Sequence, residues 1–272
     1  MNNTKRIIPA RERQLKNHIS LRQVIHDSLV MAYRGLYKMR HNPELFSDVT
    51  IQPIIFTLMF TYIFGGAIAG NVHNYLPTII PGILAMTVLT TTLVTGVQIR
   101  EDMDKGVFNR FRSMPMSRIA PLAGALLADI IRYCIATVLT LLMGYIIGWR
   151  PGGGFDYLVG GALLTVLVAW CISWVFAFIG MIARTASSVQ GIGFLVLFPL
   201  TFLSNAFIPI KTLPGWLQAF VKVNPISHLV SAVRELANQG IIGHDFWYCL
   251  LGAAIVVAVF APLTVRAYMH KA

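Results

Sequence analysis

Apolar residues fall into six long runs separated by short polar joints. A helix needs about 20 apolar residues to cross the hydrocarbon core, and residues 49–69, 76–99, 119–148, 158–183, 189–208 and 246–265 all reach that length. The pattern predicts an all-α polytopic membrane protein with six transmembrane helices. Ahead of the first run, Leu21, Ile25, Leu29, Ala32, Leu36 and Met39 recur at helical spacing, with Arg22, Arg34, Lys38 and Arg40 at other positions. That spacing predicts an amphipathic helix over 21–42 lying in the interface, its basic side chains toward lipid phosphates. A soluble docking helix is the other reading of the same pattern. Asn42-Pro43 ends it. Residues 1–20, irregular and basic with Lys5, Arg6, Arg11, Arg13 and Lys16, read as a mobile tail. Residues 43–272 then form one transmembrane domain.

Two joints depart from simple loops. Residues 100–121 are a charged island between the second and third runs. Glu101, Asp102 and Asp104 stand at its start and Arg110 and Arg112 near its end, the polarity that a short helix's dipole favours. Val107, Phe108, Phe111 and Met114 recur at spacings of three and four, giving that helix an apolar face, and Pro115 stops it. Two readings stand: a solvated helix resting on the membrane surface, and a docking helix that passes force from a cytoplasmic partner into the membrane. The second joint, 209–245, is too interrupted to span and too apolar for a plain loop. Pro214 at a first turn starts one short helix, Asn224-Pro225 breaks it, and a second runs from Ile226 to Asn238, closed by Gly240. The pair reads as outer-leaflet half-helices, which at membrane depth need protein or a cavity to cover them. Arg234 and Glu235 would then sit near the outer mouth. A pair of surface helices anchored by Trp216 is the competing reading.

Composition narrows the class. Residues are 56% hydrophobic and 12% charged, with mean hydropathy +0.67, against roughly 25% charged in soluble domains. The net charge of +11 is explained by topology rather than by nucleic acid. Seventeen Lys and Arg fall on one side of the six runs and four on the other. The positive-inside rule therefore puts both termini and the island in the cytoplasm. The first 48 residues are polar and basic, so no cleavable signal is expected and the first run acts as its own insertion signal. Cys134, Cys171 and Cys249 all lie in apolar runs and read as packing.

Candidate chemistry is sparse. There is no G-x-x-x-x-G-K-[ST] loop for nucleotide phosphates and no H-E-x-x-H, and the scattered histidines suggest no metal site. The third run carries Asp129 and Arg132, three apart on one face, where a lone charge costs a few kcal/mol or more. They read as a mutually neutralising pair, with a proton site at Asp129 as the functional alternative. That alternative would make the chain an ion- or proton-coupled carrier. Gln52, Thr91, Thr95 and Asn205 suit a translocation path, and Phe56, Phe60, Phe198 and Phe202 could form an aromatic wall for an amphipathic solute. Helix packing is the other use of all eight.

Three stretches together resemble a known family. Glu101-Asp102-Met103-Asp104-Lys105-Gly106, followed by Arg110-Phe111-Arg112-Ser113-Met114-Pro115, resembles the coupling segment of type-2 ABC exporter permeases. Ile51-Gln52-Pro53 leading into Phe60-Thr61-Tyr62-Ile63-Phe64-Gly65-Gly66, and Phe202-Leu203-Ser204-Asn205-Ala206-Phe207-Ile208-Pro209 with Leu213-Pro214-Gly215-Trp216-Leu217 and Asn224-Pro225, are similar to the daunorubicin-resistance branch. The similarity runs from about Leu21 to the last run; Asn109 stands where many relatives carry Glu. The resemblance implies a non-enzymatic half-transporter of the bacterial cytoplasmic membrane. A second permease, the same or different, would pair with it, and two separate ATP-binding subunits would bind ATP and Mg. Glu101, Asp102, Asp104, Lys105, Gly106, Val107, Phe108, Arg110, Phe111 and Met114 would couple to those subunits. The implied cargo is an amphipathic drug or lipid, moved outward.

Overall fold

A computed structural model describes residues 20–112, 116–207 and 214–271, with only the backbone described at a few helical positions, Phe108 and Arg112 among them. The residues before Ser20, where the basic tail is expected, lie outside that set, as do Met114 and Pro115. Helices account for nearly all of it: α1 (Leu21–His41), α2 (Pro43–Ala69), α3 (Val72–Asp104), α4 (Val107–Arg112), α5 (Ala120–Ile147), α6 (Phe155–Ile182), α7 (Ala186–Phe202), α8 (Gly215–Val223), α9 (Pro225–Gln239) and α10 (His244–Lys271).

Among the described residues, α2, α3, α5, α6 and α10 are long and apolar enough to cross a membrane. The fifth predicted span is shorter than its sequence run. α7 has 17 residues, or about 25 Å of rise, and ends at Phe202 rather than Ile208. Pro199, which donates no backbone hydrogen bond, stands in its last turn, and Ser204 closes the chain over: its hydroxyl donates to Thr201 O and accepts from Ala206 N. The turn 203–207 then presses on α3 at Gly82, where a Cβ would lie 2.3 Å from Ala206 O.

Helix α3 is the axis of the bundle. Its residues from Tyr75 to Leu89 are almost all buried, packed against α2, α5, α6, α7 and α9. Pro77 and Pro81 stand inside its first half, and α9 is docked there. Pro81 leaves the carbonyl of Pro77 without its helical donor, and Asn238 Nδ2 donates to that oxygen at 2.8 Å. Arg234 Nη2 donates to Thr78 O at 2.9 Å and to Asn205 O at 3.0 Å. Asn224 caps α9 through Ile226 N and donates from Nδ2 to Leu200 O and Leu203 O, the carbonyls left over where α7 stops.

The two half-helices are thus unlike each other. α9, closed by Gly240 at φ +67°, is walled in by α3, α6 and α10, whereas α8 exposes Trp216, Phe220 and Val223. Arg234, expected near an outer mouth, donates to backbone carbonyls of α3 and of the turn after α7.

Candidate coupling segment and translocation cleft

The acidic half of the island does not begin a short helix; it completes α3. Arg100 pairs with Asp104, and Lys105 Nζ reaches Glu101 Oε2 at 2.9 Å, both one turn apart on the same helix. These i,i+4 pairs carry the helix past the end of the apolar run. The acids therefore sit at the C-terminus of a long helix, the reverse of the polarity that the sequence suggested. The Glu101 carboxylate holds the Lys105 ammonium above its ordinary pKa. Gly106, at φ +64°, makes the break that a side chain would resist. α4 follows with Val107, Arg110 and Phe111.

Helix α1 brackets this segment at three points. Lys38 Nζ lies 3.2 Å from Asp102 Oδ1, before the break. The guanidinium of Arg34 sits 4.9 Å from the ring centroid of Phe111, within α4. Asp27 Oδ2 accepts from Ser117 N at 2.9 Å, after it. The buried face of α1, with Ser28, Ala32 and Met39, packs on α5, where Gly124 lets the backbones touch. Its other face leaves Leu21, Ile25, Leu29, Tyr33 and Tyr37 exposed at every fourth position. The sequence did not single out Asp27, Arg34 and Lys38 for this; Arg34 and Lys38 stood in the basic stripe assigned to lipid, and Asp27 carried no signal.

Asp129 and Arg132 lie on α5, both 3% exposed, with Oδ1 and Nη1 2.9 Å apart. Thr95 Oγ1 donates to Asp129 Oδ2 at 2.6 Å and also lies 3.2 Å from Tyr133 Oη. Arg132 Nη2 donates to Gln98 Oε1 at 2.6 Å. Both carboxylate oxygens are thus engaged, and the pair stitches α5 to α3.

A cleft of about 880 Å³ lies between α2, α3 and α7 at the end that carries the island. Its wall is mixed: Lys38, Asp48, Glu101 and Lys105 with Gln52, Gln98 and Gln190. It leads to an apolar chamber of about 320 Å³, and the two share Gln52, Phe56, Thr90 and Phe194. Phe60, Phe198 and Phe202 complete the chamber with Met59 and Met86. Beside it aromatic rings cluster: Phe207 lies 4.9 Å from Phe60, 5.3 Å from Phe202 and 6.3 Å from Phe64, centroid to centroid.

Of the eight path candidates, Gln52, Phe56, Phe60, Phe198 and Phe202 line this space and three do not. Thr91 is turned back onto Thr87 O, Thr95 serves Asp129, and Asn205 bonds Ser231 through Nδ2.

Comparison with known proteins follows the same outline. A family model described as ABC-2 type transporter matches residues 27–237. The daunorubicin resistance ABC transporter permease protein DrrB1 of Streptomyces coeruleorubidus is 41% identical over 244 residues, 90% of this chain and 86% of the relative. The doxorubicin resistance ABC transporter permease protein DrrB of Mycobacterium tuberculosis (strain ATCC 25618 / H37Rv) is 30% identical over 216 residues, 75% of each chain. The inner membrane transport permease YadH of Escherichia coli (strain K12) is 24% identical over 215 residues, 70% of this chain and 76% of the relative.

Proposed function

The chain belongs to the ABC-2 type transporter family, and on that premise we propose that it is the permease of a bacterial drug or lipid exporter whose ATPases are separate chains. Six helices cross the cytoplasmic membrane, with α7 as a short fifth crossing, and both termini face the cytoplasm. A second permease pairs with this one, and two ATP-binding subunits, carrying ATP and Mg, dock beneath α4. α1 lies at the interface, its exposed apolar stripe toward lipid.

The observation that carries this reading is the continuity of α3. One helix runs from Pro77 and Pro81, past Thr90, Leu93, Val94, Val97 and Gln98 on the cleft wall, to the charged turn before Gly106. Force applied at α4 by a closing ATPase reaches the wall of the cleft through that single rod. Helix α1 moves with it, because it is bonded on both sides of α4 and at its centre. The cleft is polar and charged near the island and aromatic beyond, which suits an amphipathic solute that enters polar end last. The relatives named for daunorubicin and doxorubicin resistance support an aromatic drug as one such cargo.

A carrier driven by protons at Asp129 is the weaker reading. Its carboxylate is paired with Arg132 and accepts from Thr95, so protonation would have to break a buried pair. The deciding experiment co-expresses the chain with its ATPase and measures complex formation and ATP-driven drug efflux for Phe111→Asp. Loss of both is expected. Retention of both rejects α4 as the docking element, and pH-driven transport by the chain alone would reject the exporter reading.

A further inference from the structure

A third, smaller space of about 50 Å³ lies between α1, α3 and α5 and adjoins the cleft at Lys38 and Gln98. Its polar wall is unusual. Arg34, Lys38, Gln98, Asp102, Asp129 and Arg132 all reach it, three cations against two carboxylates. The acceptors near its inner end are occupied: Asp129 Oδ1 faces Arg132, Asp129 Oδ2 takes the Thr95 hydroxyl, and Gln98 Oε1 takes Arg132 Nη2. Two buried donors are left over, Gln98 Nε2 and Arg132 Nη1. Nη1 carries two N–H groups: one side of it faces Asp129 Oδ1 at 2.9 Å as an ion pair, and a second N–H is left without an acceptor among the described residues.

Orphaned buried N–H groups are costly, by about 1–3 kcal/mol each. They need an acceptor, and the surplus positive charge asks that it be negative. A water molecule meets the first need but leaves the surplus positive charge unanswered. Phosphate or a carboxylate-bearing solute is too large for a space only a few times what one water requires. A divalent cation is repelled by the three basic side chains.

We propose that this cavity binds one halide-sized anion, chloride under physiological conditions, held by Gln98 Nε2 and Arg132 Nη1 within the positive field of Arg34 and Lys38. The ion ties α1 to the α3–α5 pair at the level of Asp102, beside the ring of Phe111. It is independent of the cargo and of the direction of transport.

The test uses the full chain in detergent micelles. Thermal unfolding is followed in sodium chloride, sodium bromide and sodium gluconate at matched ionic strength. Chloride and bromide should each raise the midpoint saturably, by about 3 °C at tenfold the dissociation constant, and gluconate should not. Gln98→Leu and Arg34→Gln should each flatten the halide response. Arg34 is largely solvent-exposed, so its variant keeps the test informative if Gln98→Leu fails to fold. A crystal grown in bromide should show an anomalous peak in the cavity. Equal midpoints in chloride and gluconate overturn the proposal, as does a halide rise that both variants retain, which would belong to the basic surface. Density that refines as water with no bromide signal overturns it too.

Discussion

Replacing Gly96 by Ala tests the packing on which the central helix depends. α3 and α6 cross with their backbones in contact: a Cβ built on Gly96 lies 2.4 Å from Phe176 O and 2.9 Å from Val189 Cγ1, and one built on Gly180 lies 2.4 Å from Gly96 O. The nearest obstacle in both cases is a carbonyl oxygen fixed within a helix, which cannot rotate away. Relief requires the two helices to part by roughly 1 Å, and such overpacking costs about 1–3 kcal/mol. Ala also gains up to about 1 kcal/mol over Gly in helix propensity. With the clash at the upper end of its range, the net loss is about 1–2 kcal/mol for Gly96→Ala and similar for Gly180→Ala. Gly160 provides the internal control, since a Cβ there meets nothing within 4 Å. Gly160→Ala should be neutral or stabilising by up to about 1 kcal/mol. The assay is unfolding of the purified chain in mixed micelles titrated with a denaturing detergent. The two crossing-point variants should unfold early and the control at or beyond wild type. If Gly96→Ala and Gly180→Ala unfold with the control, the close approach of α3 and α6 is not a feature of the folded protein.

Three further outcomes follow from particular contacts. Asp129→Leu leaves Arg132 buried opposite an apolar group and should cost about 3–5 kcal/mol in the same titration, whereas Asp129→Leu with Arg132→Leu should recover most of it; equal loss in single and double variants would mean that the pair does not exist. Burial, reinforced by Asp245 and opposed by His244, raises the pKa of the Glu235 carboxyl, so the folded state resists its ionisation. Stability attached to this group is full below about pH 4, near its unfolded pKa, and falls as pH rises toward the folded value. Glu235→Gln should therefore raise the melting midpoint at pH 7 and leave it unchanged at pH 4, and an unchanged midpoint at both would remove the burial argument. Cys134 is exposed while Cys171 and Cys249 are buried. All three stand in helices long and apolar enough to cross a membrane, away from the water in which a thiolate forms, so a small maleimide should modify none of them in the folded chain in micelles and all three after denaturation, as read by intact mass.

The fold was legible where hydropathy and punctuation agree, and failed where side chains compensate for lost backbone partners. Asn42-Pro43, Asn224-Pro225 and Gly240 marked boundaries that the structure keeps within a residue or two. The end of the second span was misread because hydropathy reports solvent rather than backbone. Residues 100–104 are polar but for Met103 yet helical, since two i,i+4 ion pairs and the packing of Met103 beside Ile99 keep them wound. The end of the fifth was misread for the opposite reason. Residues 203–207 are apolar enough to continue a span, yet the helix stops because Asn224, twenty residues on, satisfies the carbonyls that stopping exposes. No local window contains that information.

The site shows the same division. Gln52, Phe56, Phe60, Phe198 and Phe202 could be picked as lining by residue type, because their runs are otherwise plain. Thr91 and Thr95 could not be separated from them by type, since a threonine hydroxyl that bonds its own helix or a buried carboxylate looks in sequence like one that faces a path. One signal was available and unused: Asn224, Ser231, Arg234 and Asn238 recur at seven, three and four residues along α9 and its cap, a polar stripe aimed at something other than solvent. Asn224, Arg234 and Asn238 in that stripe are donors and call for backbone acceptors opposite, and a proline such as Pro81 or the end of a short helix such as α7 is where a membrane helix has them to give. Read together, those two patterns predict the docking of α9 onto α3 and α7, and with it the turn that sets Phe207 against Phe60 and Phe202.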